Sequence, residues 1–209
     1  MIKSMSLIGI NMNNEIIEKL KGTSLYNEYV RMEEIYNLLE HKQEIFCDTF
    51  NVHCKKGCGT CCEHFIPDVS EVESKYLALG LIIEGKEEEV RKRIHKWNPD
   101  SGYCPLYDFD NDYHCTVYKY RPLICRLFGA TASKNKEGRP CFRHCKYNEL
   151  GYDLTPDELE KNMDAVIHMS DYAMMAKEFS LEEKDRLLLP DSLIQEMDKI
   201  MYIISLLDE

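Results

Sequence analysis

Nine of the ten cysteines of this 209-residue chain lie between positions 54 and 145, and four of them crowd into nine residues. The dense run is Cys54-Lys-Lys-Gly-Cys58-Gly-Thr-Cys61-Cys62. Cys104, Cys115 and Cys125 follow, and Cys141-Phe-Arg-His-Cys145 closes the series. Cysteine at this density serves either disulfides or metal thiolates. Disulfides persist in oxidising compartments. The opening Met1–Asn11 stretch is too short and too polar for a secretory leader, and Glu15 and Glu18 follow it. No apolar run reaches membrane-spanning length. The sequence therefore reads as cytoplasmic, where thiols stay reduced. Neighbouring Cys61 and Cys62 are strained as a disulfide pair, whereas the 58/61 spacing suits a metal knuckle. Metal binding is the preferred reading over a disulfide framework or inert buried thiols. Cys47, alone in a helical pattern, is read as an ordinary buried thiol.

Charge narrows the partners. The chain carries a net −11, which disfavours nucleic-acid binding. Against that trend, Lys119–Lys146 holds eight bases and one acid, Glu137. Arg and Lys here would offset thiolate charge and lower thiol pKa values; a solvated basic face is the simpler alternative. The partners expected are a metal ion or cluster and a protein partner or substrate, with no nucleic acid and no membrane.

The pattern predicts a mainly α fold, helices packed around an irregular cysteine-rich metal-binding centre. It is read as a single domain over 1–209, with N-terminal helices over 1–47, a cysteine core over 48–150 and C-terminal helices over 151–209. Asn13 and Asn14 can cap a short helix through Leu20, ended by Gly22. Leu25, Tyr29, Met32, Tyr36 and Leu39 then recur at three- and four-residue spacing, predicting a helix from Ser24 to about Phe46. Ser70-Glu71-Val72-Glu73 is a capping box for a helix to about Leu79, stopped by Gly80. A charged helix is expected over 86–97, acids first and bases last, ended by Asn98-Pro99. Asp108–Asp112 reads as a loop or small hairpin. Arg121-Pro122 starts a helical turn through Cys125 to Leu127, ended by Gly129. Thr155-Pro156-Asp157-Glu158 caps a helix whose buried stripe is Leu159, Met163, Val166, Ile167 and Ala173. Pro190 opens the last helix, with Ile194, Met197, Ile200, Met201 and Ile204 inward.

Nine cysteines suffice for two four-ligand sites, or for one site with spectators. The candidate metal ligands are Cys54, Cys58, Cys61, Cys62, Cys104, Cys115, Cys125, Cys141 and Cys145. Consecutive side chains diverge, so Cys61 is expected with Cys58 and Cys62 with a second group. A larger cluster could instead accept both on different irons. Gly57 and Gly59 are expected to let the chain turn around the ion. His144, between Cys141 and Cys145, is a candidate ligand or a bystander; His53, His64 and His114 stand near cysteines, and His41, His95 and His168 lie in helical stretches. No Gly-rich phosphate loop, G-x-S-x-G elbow or H-E-x-x-H pair occurs. Cys54-x3-Cys58-x2-Cys61 matches the spacing of radical chemistry on S-adenosylmethionine. A helix-rich chain of this length cannot supply the barrel of those enzymes, though an iron–sulfur cluster with an open position stays in play.

Three blocks together resemble the YkgJ-type cysteine-cluster family of zinc- or iron-chelating domains. They are the Cys54–Cys62 run, Cys104-Pro105-Leu106, and Cys115-Thr-Val-Tyr118-x2-Arg121-Pro122-x2-Cys125-Arg126-Leu-Phe128. The likeness covers about residues 50–146. Two spacings depart from the family pattern: three residues rather than two separate Cys54 from Cys58, and one residue is missing before Arg121-Pro122. The resemblance implies metal binding, and Arg121 and Arg126 of the Arg-Pro block are expected to bind the cofactor, at least one of them buried with a polar partner. A [4Fe–4S] cluster is favoured, with Zn²⁺ as the alternative. Through relatives that resemble flagellin lysine N-methylases it also implies S-adenosylmethionine-dependent protein methylation as one possible activity. The expected function is a cysteine-cluster metalloprotein holding iron–sulfur or iron, with an enzymatic role on a protein or small molecule left open. The alternative is a zinc-stapled interaction protein.

Overall fold

The three- and four-residue recurrence of apolar side chains in the N-terminal third builds the longest element of the fold. A computed structural model describes residues 14–53, 58–111, 113–146, 150–178 and 186–207. Helix α1 spans Asn14–Leu20 and α2 spans Ser24–Phe50. The Thr23 hydroxyl accepts from the Tyr26 amide at 3.2 Å, satisfying one free N–H of the first turn. Leu25, Tyr29, Met32, Tyr36 and Leu39 are all buried. The helix runs one turn past its expected end. Phe46 and Phe50 sit on the same stripe with rings 5.0 Å apart, so burial continues until Asn51 leaves the helix at φ 55°.

Strand β1 (Asp68–Val69) leads into α3 (Glu71–Ile83). The Ser70 capping box forms as expected. Gly80 does not stop the helix. Every residue of α3 from Val72 to Ile83 except Lys75 is buried, because α2 and α8 both pack on it and the 118–120 turn closes a third side. At Gly80 the Tyr120 ring lies so near that an added Cβ would stand 2.4 Å from its Cε1. The helix ends three residues later at Ile83, and Gly85 just beyond it adopts φ +66°. Gly80→Ala should therefore destabilise by about 1–3 kcal/mol through overpacking, although alanine improves intrinsic helix propensity by about 1 kcal/mol. Denaturant midpoints test this; a more stable variant would refute the close contact.

Helix α4 (Glu87–Lys96) has the expected polarity of charge. Tyr107 and Cys115 form an antiparallel bridge that closes the 108–114 loop. Helix α5 (Leu123–Leu127) follows Arg121-Pro122 and ends at Gly129. Strands β2 (Ser133–Lys134) and β3 (Pro140–Cys141) pair antiparallel.

The C-terminal stripe is broken into pieces. Helix α6 (Pro156–Glu160) keeps its capping box but stops after five residues. The Ile167 carbonyl is drawn away to accept from the Ala132 amide at 2.9 Å and the Thr131 hydroxyl at 2.9 Å, so the helix cannot continue through it. Ile167 is buried, whereas Met163 lies exposed. Helix α7 (Met169–Lys177) restarts the pattern after His168. Strand β4 (Leu187–Leu188) pairs with β1, and α8 (Leu189–Leu206) follows directly. Met197, Ile200 and Ile204 are buried and Ile194 partly so; Met201 faces out at 42% exposure. The fold is mainly α, with short strand pairs only.

Candidate metal centre

Four chain segments bring cysteine to one place. Gly59 opens a 3₁₀ turn over Thr60–Glu63, with the Cys62 amide donating to the Gly59 carbonyl at 2.8 Å. Glycine is needed there for room: an added Cβ would lie 2.3 Å from the Cβ of His114. Its φ of −100° is open to any residue, so the expected tight-turn role is replaced by close packing. The Cys104 amide donates to the Cys62 carbonyl at 3.1 Å, stitching the second segment to the first. The Tyr107–Cys115 bridge brings the third, and α5 presents Cys125.

Cys58, Cys61, Cys62, Cys104, Cys115 and Cys125 all line one cavity of about 40 Å³. Its remaining wall is mostly apolar, with Arg121 as its one charged side chain. The rings of Phe65 and Phe128, 6.2 Å apart and both exposed, flank the cavity. Sequence spacing had suggested that Cys61 and Cys62 serve separate groups; both face this same space. The described cysteines are all free thiols.

A family model described as "CxxCxxCC: Putative zinc- or iron-chelating domain" matches residues 53–167, more than half of the chain. The chain belongs to the CxxCxxCC family. No curated protein matches it, and no solved structure does.

Electrostatics in this CxxCxxCC member suit a cation. The Cys61 thiol is pushed up by its hydrogen bond with Cys62 and by burial. Burial raises Cys104 to about 11 and raises Cys115 and Cys125 as well, and neighbouring thiols oppose ionisation further. Arg121 works the other way on Cys61, Cys115 and Cys125. Clustered thiols that resist ionisation alone become thiolates when a metal supplies the missing positive charge. The donor set thus fits zinc or iron. Among the described residues, no group of three or more His, Cys, Asp and Glu side chains is set to hold a single ion.

The two arginines do different work. Arg121 lines the cavity, stacks over the Tyr118 ring at 3.5 Å and donates from Nε to the Tyr118 carbonyl at 3.0 Å. Arg126 points elsewhere. Its guanidinium covers the Tyr36 ring and donates to the carbonyls of Arg121 and Lys119, holding the turn that carries Arg121. Both are half-buried. Farther along the basic segment, Arg139 is spent on Asp157 and Glu160.

Cys141 and Cys145 lie off the cavity. Cys141 Sγ is 3.3 Å from the Ser133 hydroxyl, and Cys145 sits beside Gly129. His144 Nδ1 is 2.8 Å from Asp153 Oδ1. His53 pairs with Asn51, His114 meets the Asp108 carbonyl, and His64 is exposed. Buried His168 precedes α7 rather than lying in it. Cys47 is part-buried on α2, against the core. Cys54 and Gly57 lie outside the described residues.

One functional residue escaped the sequence reading. Glu73, 2% exposed, accepts from the Ser70 amide and hydroxyl through Oε2 and from the Leu123 amide through Oε1 at 2.8 Å. Leu123 is the first residue of α5. The same carboxylate that caps α3 thus fixes the helix bearing Cys125. The capping-box motif signalled the first role; nothing local signals the second.

Proposed function

We propose that four ligands drawn from the six cavity cysteines and Cys54 hold a [4Fe–4S] cluster, with Arg121 offsetting its negative charge. The convergence of six cysteines from four chain segments on one cavity beside Arg121 carries this reading. A zinc site holds each sulfur at about 2.3 Å from one ion, which draws four of them to within about 4 Å of one another. A cluster presents its irons at separate corners, so its ligands stand farther apart, and neighbours such as Cys61 and Cys62 can serve different irons. A bound cluster supplies one-electron transfer, or an iron position to which substrate can coordinate. The protein's own part is an apolar wall that keeps water from the sulfurs, with one guanidinium beside them.

Anaerobic purification tests the proposal directly. The expected product is brown, with broad visible absorption and iron and acid-labile sulfide in equal amounts. Colourless protein carrying stoichiometric zinc would overturn it in favour of a structural zinc staple. Colourless protein without metal would overturn both.

A further inference from the structure

On the far side of Cys104 lies a second space. An open cleft of about 470 Å³ separates α4 from the loop over 101–109, and Cys104 lines both it and the thiol cavity. That volume lies within the range of small-molecule sites. Trp97, Tyr103, Tyr107 and Phe109 line the cleft. Tyr103 and Tyr107 stack with centroids 6.0 Å apart, and Phe109 stands edge-on to both. Phe109 is 64% exposed and Tyr103 37%, so both rings reach solvent. Exposed rings grouped in this way form a stacking platform.

The cleft is also built to stay open. Arg93 donates to the Tyr107 carbonyl at 3.1 Å and to Asp108 Oδ2 at 2.8 Å, tying the loop to α4. At the other end the Trp97 indole donates to the Tyr103 carbonyl at 2.8 Å. With Arg93 answered by Asp108, the charges left on the lining are Lys92 and Lys96, one turn apart, and Glu89. Lys92 reaches Glu88 only at 3.9 Å, both side chains largely exposed, a pair worth little. A basic lining in a chain of net −11 is a local reversal of sign that selects for negative charge.

We propose that this cleft binds a small ligand combining a planar ring with an anionic group, a nucleotide by chemical class. The ring stacks on Phe109 with its edge toward Tyr103, and the phosphates face Lys92 and Lys96. The site is independent of which metal the thiol cavity holds, but the shared Cys104 places ligand and metal centre on opposite sides of one wall.

Trp97 is the chain's single tryptophan, so its fluorescence reports on this cleft alone. The full-length protein as purified would be titrated with ATP, with inorganic tripolyphosphate and with adenosine. ATP is expected to change the emission saturably and to bind more weakly as salt rises. The double variant Lys92→Ala/Lys96→Ala should weaken ATP by at least about tenfold through loss of charge-assisted contacts, and Phe109→Ala by about tenfold through loss of stacking. All three replaced side chains are exposed, and unchanged circular dichroism and metal content would confirm intact folding. Equal affinity for tripolyphosphate would remove the ring from the proposal, and equal affinity for adenosine would remove the anion; either overturns it. So would a flat titration, or an ATP response the variants leave unaltered.

Discussion

Cys61→Ser and Cys125→Ser should each lose nearly all bound metal, while Cys47→Ser keeps it. Serine matches cysteine in size, so the cavity wall survives and the lost ligand is the variable measured. Without a cation, burial and the neighbouring thiols resist ionisation of these sulfurs. Metal binding therefore contributes directly to folding. A loss of several kcal/mol is expected, lowering the melting temperature by about 2–4 °C for each kcal/mol in a chain of this size. Elemental analysis and thermal melting provide the readouts. Full metal content in both variants would show that the cavity is not the centre. The count of centres is settled by the same series. If Cys58→Ser and Cys62→Ser each empty a different half of the metal, there are two centres; equal and complete loss in both means one. Cys141→Ser and Cys145→Ser, off the cavity, then show whether a second centre draws on them.

Glu73→Ala is expected to cost about 3 kcal/mol and to reduce metal content as well. The side chain is buried and serves two helix starts at once. Its removal leaves the Ser70 and Leu123 amides without partners, at about 1–3 kcal/mol for each buried orphan. The second loss loosens α5, and with it Cys125. Glu73→Gln keeps the shape and an acceptor oxygen, so it should recover part of the stability and most of the metal. A Glu73→Ala protein with wild-type denaturation and wild-type metal content would show that the carboxylate merely fills space.

The sequence was most legible where one local rule acts. Capping boxes at Ser70 and Thr155 and the apolar stripe of α2 each follow from residues within a few positions. Reading failed where a distant partner decides. Gly80 looks like a helix stop, but its missing side chain makes room for Tyr120, forty residues away. Gly59 looks like a turn residue, and it too is small because His114 lies against it. The stripe from Leu159 to Ala173 looks continuous, yet Thr131 and Ala132 claim the Ile167 carbonyl. At the centre, spacing assigns Cys61 and Cys62 to separate groups, whereas both line one cavity. That Cys61 and Cys62 face a common space depends on Cys104 being bonded to the Cys62 backbone, a contact across forty-two positions that no spacing rule anticipates. The aromatic cleft was hidden for the same reason: Trp97 and Phe109 belong to different segments, and Arg93 of α4 ties the loop that carries Tyr107 and Asp108 beside them.

The pairing of β1 with β4 bears on where the unit of inheritance and the unit of folding diverge. The family match runs from 53 to 167. Yet Leu189, at the start of α8, donates its amide to the Pro67 carbonyl at 2.8 Å and supplies part of the thiol cavity's wall. Helix α3, inside the match, is buried between α2 and α8, both outside it. Excised at the family boundaries, the segment would expose an almost wholly buried helix on two sides and lose part of the wall of its own cavity. The motif is thus not an autonomous module that can be transplanted with its chemistry intact; its flanking helices are the scaffold, and a relative sharing only the cysteine blocks needs some other scaffold of equal reach.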